Sequence, residues 1–326
     1  MKSGPRVLQL SKTPLVGAPG RLNGALNLFT QITSSWVVCE DYPAPLSGLF
    51  IADALNLSDG SAMRELSSRS LVEADVIHIH NDVSPQLIDL IRDTARVDCR
   101  FVWHAHSPLR EGPLFIDRSE TLGLPWAAKV TIPHYPPRSF PGHEMLPDIV
   151  LGQPSCSPLE TEAPVRVLFS PTHGRKGLRW GDKVCENLHK TLSWLRLSRS
   201  AEVIEVRGVS PQSLLALRRT TQITIDEVVT GAFHQVSLEG LMCGNCVANA
   251  ADYFTLTAFQ MAVGAKSPPP FVKMTREDVA EQLPRLVKAR DRIRSVQEEG
   301  REYFTEYLTA ERLVQRYVNL YERVLT

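Results

Sequence analysis

Residues 225–247, IDEVVTGAFHQVSLEGLMCGNCV, carry the clearest local pattern in the chain. A short β-branched run ends at Ile225, a loop containing Gly231 follows, and a helical stretch continues to Gly244, where glycine favours a helix end. Val247 then begins a second apolar run. A strand, a glycine-bearing loop, a helix and another strand in this order predict a parallel α/β unit.

The same alternation extends outward over most of the chain. In the first half we predict strands at residues 7–10, 36–39, 76–80, 101–104 and 130–132, with helices at 21–33 and 87–95. In the second half we predict strands at 165–169, 201–207, 223–225 and from 247, with helices at 182–197, 211–218 and 236–243. Strands separated by helices predict an α/β fold with two Rossmann-like, doubly wound domains facing across a cleft.

Prolines mark the expected boundary between the two domains. Pro154, Pro158 and Pro164 lie in a stretch with few long apolar side chains, which is typical of a linker. The last helix has an apolar stripe and is expected to pack back on the first domain. The predicted divisions are a first domain at 1–150, a linker at 151–164, a second domain at 165–305 and a C-terminal helix at 306–326.

Composition describes an ordinary globular protein. The 326 residues contain 36 Lys and Arg against 36 Asp and Glu, so a protein that clamps nucleic acid nonspecifically is not favoured. No apolar run reaches the roughly 18 residues of a membrane span, and the N-terminus does not resemble a secretory signal. Six scattered cysteines in a chain of this size indicate reduced thiols, hence a cytoplasmic location.

The helix after Gly231 has chemistry suited to a nucleotide. Backbone N–H groups at a helix N-terminus bind anions such as a diphosphate. A carboxylate such as Glu239 can accept two hydrogen bonds from a ribose diol. The alternative is that Glu239 is a solvated helix residue and Gly231 a plain turn. A pure ligand residue at 239 could be replaced by Ala without loss of stability.

This segment resembles the donor-binding motif of GT-B glycosyltransferases, in the large retaining family that includes glycogen- and sucrose-synthase-like enzymes. Glu239 matches the family's second Glu, which holds the nucleotide ribose. Gly231 stands where the family has its first Glu, and His234 stands at a loop glycine. This departure leaves Asp226, Glu227 or His234 to face the sugar.

Other segments resemble the same family in the same order. Gly17 lies in a glycine-containing loop after the first strand, which in the family lies near sugar and acceptor. His106, or alternatively His104, matches a histidine that contacts the donor sugar. Three cations match those presented to the diphosphate: Arg175, Lys176 and Lys183. Such cations would stabilise a leaving nucleoside diphosphate, although a solvated basic loop is the simpler alternative.

Two further patterns allow a metal, but neither has a recognised ligand spacing. His78 and His80 alternate on one strand, as do His104 and His106 near the end of another, with Asp82 the only carboxylate nearby in sequence. Packed core histidines and a donor-site His106 are the favoured interpretation. Cys243 and Cys246 form a C-x-x-C without a second pair, which favours two buried small side chains. We therefore expect no metal site.

The resemblance implies transfer of a sugar from a nucleotide sugar to an acceptor, with retention and without a cofactor. The candidate catalytic residues are His106, Asp226 and His234, and the candidate donor-binding residues are Gly17, Arg175, Lys176, Lys183, Gly231 and Glu239. The acceptor could be a glycan, a small molecule or a modified DNA base. A nucleotide-sugar epimerase of the same fold, a phage-type DNA-base glycosyltransferase and an inactive sugar-nucleotide-binding protein remain alternatives.

Overall fold

A computed structural model describes residues 4–57, 60–106, 114–134, 140–155, 159, 163–171 and 185–326. The chain forms two compact units. Unit 1 comprises Met1–Leu151 together with Ala310–Thr326, and unit 2 comprises Gly152–Thr309. Within the described residues, no helix combines the length and apolar character needed to cross a membrane.

Unit 1 is built on a seven-stranded sheet with the order β3-β2-β1-β4-β5-β6-β7. All neighbouring strands are parallel. The strands are β1 (Arg6–Ser11), β2 (Thr33–Val38), β3 (Leu55–Asn56), β4 (Val76–His80), β5 (Arg100–Ala105), β6 (Trp126–Thr131) and β7 (Glu144–Met145). The helices are α1 (Ala18–Phe29), α2 (Gly60–Glu65), α3 (Leu71–Glu73), α4 (Pro85–Thr94), α5 (Leu114–Leu122) and, from the C-terminus, α12 (Ala310–Leu325).

The two faces of the unit 1 sheet differ in chemistry. Because side chains alternate along a strand, Leu8 and Ile77 lie on one face, in an apolar core that includes Trp103. On the opposite face, Gln9 lies in register with His78, and both are fully buried. The sequence thus places a polar layer inside the unit, against which α12 packs through buried tyrosines.

Unit 2 has a five-stranded parallel sheet with the order β12-β11-β10-β8-β9. The strands are β8 (Arg166–Phe169), β9 (Glu202–Glu205), β10 (Ile223–Ile225), β11 (Cys246–Asn249) and β12 (Val272–Lys273). The helices are α6 (Glu186–Leu197), α7 (Pro211–Arg218), α8 (Gln235–Met242), α9 (Tyr253–Val263), α10 (Val279–Lys288) and α11 (Arg290–Tyr303). One apolar core joins the sheet to α6 and α10.

The predicted fold class, two doubly wound α/β units, is confirmed. Three predicted elements match residue for residue: the strands Val76–His80 and Ile223–Ile225 and the helix Pro211–Arg218. The helix predicted at 21–33 instead runs from Ala18 to Phe29.

Local side-chain chemistry explains why α1 ends before residue 33. Thr30 is extended and closes the helix, and its hydroxyl donates to the Leu26 carbonyl at 2.7 Å. Asn27 then pairs with both backbone groups of Ser34, each at 2.8 Å. Residues after Thr30 therefore continue into β2 rather than into the helix.

Candidate functional site

In unit 2, the loop after β10 places Asp226 beside the start of α8. Asp226 Oδ2 accepts from the backbone N–H of His234 at 2.6 Å and from Ser237 Oγ at 2.8 Å. Asp226 Oδ1 lies 3.1 Å from His234 Nδ1. Asn249 supports the cluster from β11, since its amide donates to Ser237 Oγ at 2.9 Å. These bonds fix the His234 ring relative to the helix N-terminus.

Asp226 is ionised in this cluster despite its burial. Burial alone would raise the pKa of the carboxyl, but the charge and hydrogen bonds of His234 and the Ser237 hydroxyl outweigh it and lower the pKa. The Asp226 side chain is only 5% exposed, whereas His234 is 21% exposed. The pair is thus a buried carboxylate that orients a partly accessible imidazole, an arrangement suited to proton transfer or to binding a hydroxyl group.

Glu239 is held by an arginine that the sequence analysis did not single out. Arg218, the last residue of α7, is fully buried, and its Nη1 lies 2.6 Å from Glu239 Oε2. Its Nη2 lies 3.4 Å from Oγ of Ser170, the residue directly after β8. Glu239 itself is 15% exposed, so the carboxylate is anchored through one oxygen and accessible in part. Such a pair orients a carboxylate that can accept further hydrogen bonds.

Gly231 turns the loop toward α8 in a conformation that favours glycine. Its φ is +77°, and an added Cβ would lie 3.1 Å from Asp252 Oδ2. The Gly231 carbonyl accepts from the backbone N–H of Asp252 at 2.8 Å and from Thr255 Oγ at 3.0 Å. The loop is therefore tied to the start of α9. Within the same loop, the Glu227 carboxylate accepts a hydrogen bond from the backbone N–H of Val229 at 2.8 Å.

In unit 1, His106 directly follows β5 and is fixed by three neighbours. Its backbone N–H donates to Asn81 Oδ1 at 2.6 Å. Its Nε2 lies 2.8 Å from His80 Nδ1, and its Nδ1 lies 3.5 Å from Asp148 Oδ1. Asn81 has a φ of 60°, a left-handed conformation that asparagine tolerates better than most residues. The ring is thus held between a neutral core and a carboxylate.

Asp148, after β7, is the carboxylate of this site, and sequence reasoning missed it. Burial alone would raise its pKa, but a hydrogen bond and charge from His106, with His134 and Arg21, bring the pKa down to about 2. The nearby Asp82 is instead paired with Arg118, whose Nε lies 2.9 Å from its Oδ1. No periodicity in the sequence indicates which of the two carboxylates meets His106.

Three buried histidines stand behind His106. Ring nitrogens of His78, His80 and His104 lie within 4.8 Å of one another, which is near the range of a metal site. However, the His78 and His80 rings stack with centroids 4.3 Å apart, and His78 and His104 with centroids 5.2 Å apart. Stacked rings do not aim their lone pairs at one point, and both His80 nitrogens already contact protein atoms. The geometry favours a packed polar core over a metal centre.

Burial keeps these three imidazoles neutral. Burial, together with neighbouring imidazole charge, lowers the pKa of His78, His80 and His104 well below the usual value. Among the described residues, His78 Nε2 and both nitrogens of His104 have no hydrogen-bond partner. Each such buried donor or acceptor costs about 1–3 kcal/mol.

Gly17 begins α1 with a φ of +79°. The side chain of Arg21 reaches back from the helix to this turn, where its Nη1 donates to the Val16 carbonyl at 2.8 Å. Its Nε donates to the Ile149 carbonyl at 3.0 Å, one residue after Asp148. Gly17 and Asp148 are thus linked through one arginine within unit 1.

The remaining predicted residues divide into two groups. Arg175, Lys176 and Lys183 lie outside the described residues. Cys243 and Cys246 are buried free thiols, and burial raises the pKa of Cys246 to about 12. Buried thiols of this kind are inert packing groups.

No protein-family model matches the sequence, and no curated protein matches it. Solved structures do match across nearly the whole chain. An alpha-glucosyltransferase in complex with UDP and a mismatched 13-mer DNA is 10% identical, with a TM-score of 0.63 over 98% of this chain and 100% of that one.

Two further solved structures also match this chain over nearly its whole length. Sucrose-phosphate synthase from Thermosynechococcus elongatus is 12% identical, with a TM-score of 0.64 over 98% of this chain and 99% of that chain. A glycosyltransferase from Rickettsia africae is 10% identical, with a TM-score of 0.58 over 99% of both chains. At such low identity the similarity concerns the fold. This chain therefore has the GT-B fold, as the sequence analysis predicted.

Proposed function

We propose that the protein is a glycosyltransferase that moves a sugar from a nucleotide-sugar donor to an acceptor, with retention. Unit 2 binds the donor, and unit 1 takes part on the acceptor side. The GT-B fold supports this assignment, because the solved proteins that share it include an alpha-glucosyltransferase, a glycosyltransferase and a sucrose-phosphate synthase.

One observation carries the proposal: Glu239 is anchored to the fully buried Arg218 on a helix that begins after the Gly231 turn. The arginine keeps one carboxylate oxygen occupied and the group oriented. The remaining acceptor capacity of the carboxylate suits a ribose diol, while the N-terminus of α8 suits a diphosphate. A solvated helix residue would not need a fully buried partner.

We also assign the groups that would contact the donor beside the nucleotide. In unit 2, the Asp226–His234 pair lies at the start of α8 and would contact the sugar in place of the glutamate that Gly231 replaces. The charge of the leaving diphosphate would be met by Arg175, Lys176 and Lys183, whose part in the proposal rests on the sequence alone. With these cations the proposed reaction uses no resident metal or cofactor. The free thiols among the described residues support a reducing, cytoplasmic location.

The donor assignment is tested by thermal-shift measurements with nucleoside diphosphates and nucleotide sugars. A ligand at about 100 times its Kd stabilises the protein by about 2.7 kcal/mol. We expect one nucleotide series to raise the melting temperature and Glu239→Gln to remove most of that shift. Gln retains an oxygen for Arg218 but loses the charge.

The matched control is Glu298→Gln, since Glu298 lies on α11 and is 69% exposed. It should leave the ligand shift unchanged. If no nucleotide shifts the wild-type protein, or if Glu239→Gln binds as well as the wild type, the donor site is wrongly assigned.

A DNA acceptor is a second candidate, favoured by the solved neighbour that is in complex with DNA. Duplex DNA with a modified base therefore belongs in the acceptor screen beside glycans and small molecules. A salt-dependent gel shift together with sugar transfer to the duplex would select it. Conversion of the nucleotide sugar without an acceptor would instead indicate an epimerase, and binding without any release of nucleotide an inactive protein.

A further inference from the structure

The loops that follow β10 and β11 run side by side in unit 2. The two strands are parallel, so both loops leave the sheet at its carboxyl edge, where ligands of open α/β sheets bind. Three backbone hydrogen bonds join the loops: Asp226 N to the Ala248 carbonyl at 3.1 Å, Ala250 N to the Glu227 carbonyl at 2.9 Å, and Asp252 N to the Gly231 carbonyl at 2.8 Å. Asp252 is therefore held against the loop that carries the Asp226–His234 pair.

The side chain of Asp252 lies in the space that a side chain at position 231 would need. An added Cβ on Gly231 would lie 3.1 Å from Asp252 Oδ2, 3.5 Å from its Cγ and 3.6 Å from its Cβ. The nearest of these atoms is the carboxylate oxygen. Because glycine has no Cβ, the oxygen fits there without a clash. The missing side chain at 231 thus makes room for the carboxylate of Asp252.

The two oxygens of Asp252 have different surroundings. Oδ1 caps α9 by accepting from Thr255 N at 2.8 Å. In the part of the chain that the structure describes, no group donates a hydrogen bond to Oδ2, and Asp252 is only partly buried. A carboxylate oxygen has about two lone pairs with which to accept. Oδ2 is thus an acceptor that the helix cap holds in place and that the fold leaves available.

Asp278, next to the start of α10, provides a comparison. Its Oδ1 also accepts from a backbone N–H, that of Thr275, at 2.7 Å. Its Oδ2 accepts from Gln282 Nε2 at 2.7 Å. Both oxygens of Asp278 are therefore used within the fold, whereas Asp252 uses one.

The surroundings of Asp252 Oδ2 indicate the chemical class of its ligand. A carboxylate repels a phosphate, but it accepts hydrogen bonds from hydroxyl groups. Two aromatic side chains follow Asp252 at the start of α9: Tyr253 is 74% exposed and Phe254 54% exposed, with ring centroids 5.9 Å apart. A hexose carries hydroxyl groups around its edge and C–H groups on its faces, so it can use both an acceptor and an aromatic surface. This chemistry favours the sugar of a donor over its diphosphate.

We propose that Asp252 is a specificity-determining residue that accepts a hydrogen bond from a hydroxyl group of the transferred sugar through Oδ2. This inference rests on the proposed function and assigns the sugar a contact separate from those of the nucleotide. Glu239 and the N-terminus of α8 hold the nucleotide. The Asp226–His234 pair and Asp252 meet the sugar from two adjacent loops.

Calorimetric titration separates the sugar contact from the nucleotide contacts. UDP and UDP-glucose are the first pair of probes, followed by other nucleoside diphosphates and their nucleotide sugars. Asp252→Asn keeps an oxygen for Thr255 N, because asparagine caps helices as well as aspartate does, but it removes the charge. We expect the variant to bind the nucleotide sugar about tenfold more weakly and the nucleoside diphosphate within about twofold of the wild type.

Asp252→Ser is the stronger variant, and Asp278→Asn is the matched control. Serine also caps a helix but has no second oxygen, so the loss for the nucleotide sugar should approach about a hundredfold. Asp278→Asn removes the same charge where both oxygens already have partners, and it should leave both affinities unchanged. Equal changes for the nucleoside diphosphate and the nucleotide sugar in the Asp252 variants, or no change for either ligand, would overturn the proposal.

Deoxy analogues of the nucleotide sugar then identify the hydroxyl group. For one analogue we expect the wild type to bind about tenfold more weakly than it binds the parent sugar, and Asp252→Asn to bind both alike. Removing either partner removes the same hydrogen bond, so the two losses should not add. If Asp252→Asn rejects every deoxy analogue as strongly as the wild type does, Asp252 does not contact the sugar.

The outcomes for the wild type and for the variants separate this inference from the proposed function. A wild-type protein that binds no nucleotide sugar in the whole series would refute the proposed function. A wild-type protein that binds a nucleotide sugar, with Asp252 variants that bind it equally well, would refute the role of Asp252 alone.

Discussion

The buried histidines of unit 1 and the buried arginine of unit 2 are two different ways of placing polar side chains in a protein interior. Unit 1 buries three neutral histidines in a stack, and burial holds their pKa values well below normal. Unit 2 buries a charge, Arg218, against the carboxylate of Glu239. The stability of the histidine cluster depends on the pH of the solution, whereas the stability of the buried Arg218 depends on the Glu239 carboxylate. We therefore expect different changes to destabilise the two units.

The largest effect should come from removing the partner in unit 2. Glu239→Ala leaves Arg218 buried with Ser170 Oγ at 3.4 Å as the remaining side-chain contact among the described residues, and breaking a buried pair in this way costs about 3–5 kcal/mol. The structure thus changes the sequence-based expectation that residue 239 could be replaced without loss of stability. Denaturant unfolding, followed by hydrogen exchange in α8, measures the loss.

Glu298→Ala is the control for this substitution, and it should change stability by less than about 0.5 kcal/mol. A Glu239→Ala protein as stable as that control would mean that water reaches Arg218, and the contrast between the units would disappear.

A smaller effect should appear in unit 1 when the pH is lowered. The three histidines have an unfolded pKa of about 6.5 and a lower folded pKa, so below about pH 6.5 the unfolded chain binds protons that the native state does not. Their stabilising contribution is therefore full above this pH and is lost as the pH falls. His104→Leu should reduce the slope of unfolding free energy against pH by up to about 1.4 kcal/mol per pH unit.

Unfolding between pH 7.5 and 5 tests this expectation, with Tyr317→Phe as a buried control that does not titrate in this range. An unchanged slope in His104→Leu would show that His104 is protonated in the native state, contrary to its burial.

The smallest effect concerns the turn before α8. Gly231 and Gly142 share a φ of +77°, but among the described residues an added Cβ meets a neighbour, Asp252 Oδ2, at Gly231 and none at Gly142. Alanine in the left-handed region costs about 1–2 kcal/mol at either position. Gly231→Ala should cost about 1 kcal/mol more, because Asp252 also caps α9 by accepting from Thr255 N at 2.8 Å.

Chemical denaturation of Gly231→Ala and Gly142→Ala gives the two losses of unfolding free energy. Their difference measures the contact with Asp252 apart from the cost of placing alanine in the left-handed region. Equal losses would show that the Asp252 side chain moves aside freely, and the Gly231 loop would then be less tightly built than its hydrogen bonds indicate.

The local sequence pattern was enough to predict those helices and strands whose ends are marked by nearby residues, such as a capping serine or a proline. Ser210 accepts from Ser213 N at 3.1 Å and Pro211 follows it, so α7 starts where a cap and a proline indicate. The strand Val76–His80 is a continuous buried run and was equally predictable. The helix α1 was misplaced at both ends because its limits depend on Gly17 and on the contacts of Asn27 with Ser34.

The candidate site was predictable only in part, for a physical reason. His106, Asp226, His234 and Glu239 follow strands or lie on a helix next to a glycine turn, and those positions are visible in the sequence. Arg218 and Asp148 are not, because a partner 21 or more residues away leaves no periodic trace. Both were found only from the distances between side chains.

The sequence by itself determined the class of fold, the strand–loop–helix at 225–247 and the polar alternation of β4 and β5, because these follow from local residue spacing. Tertiary structure decided which polar groups meet: Arg218 with Glu239, Asp148 with His106, and Tyr321 with Gln9, 312 positions away in sequence. Hydrogen bonds and ion pairs act over about 3 Å in space, and only the folded chain defines those distances.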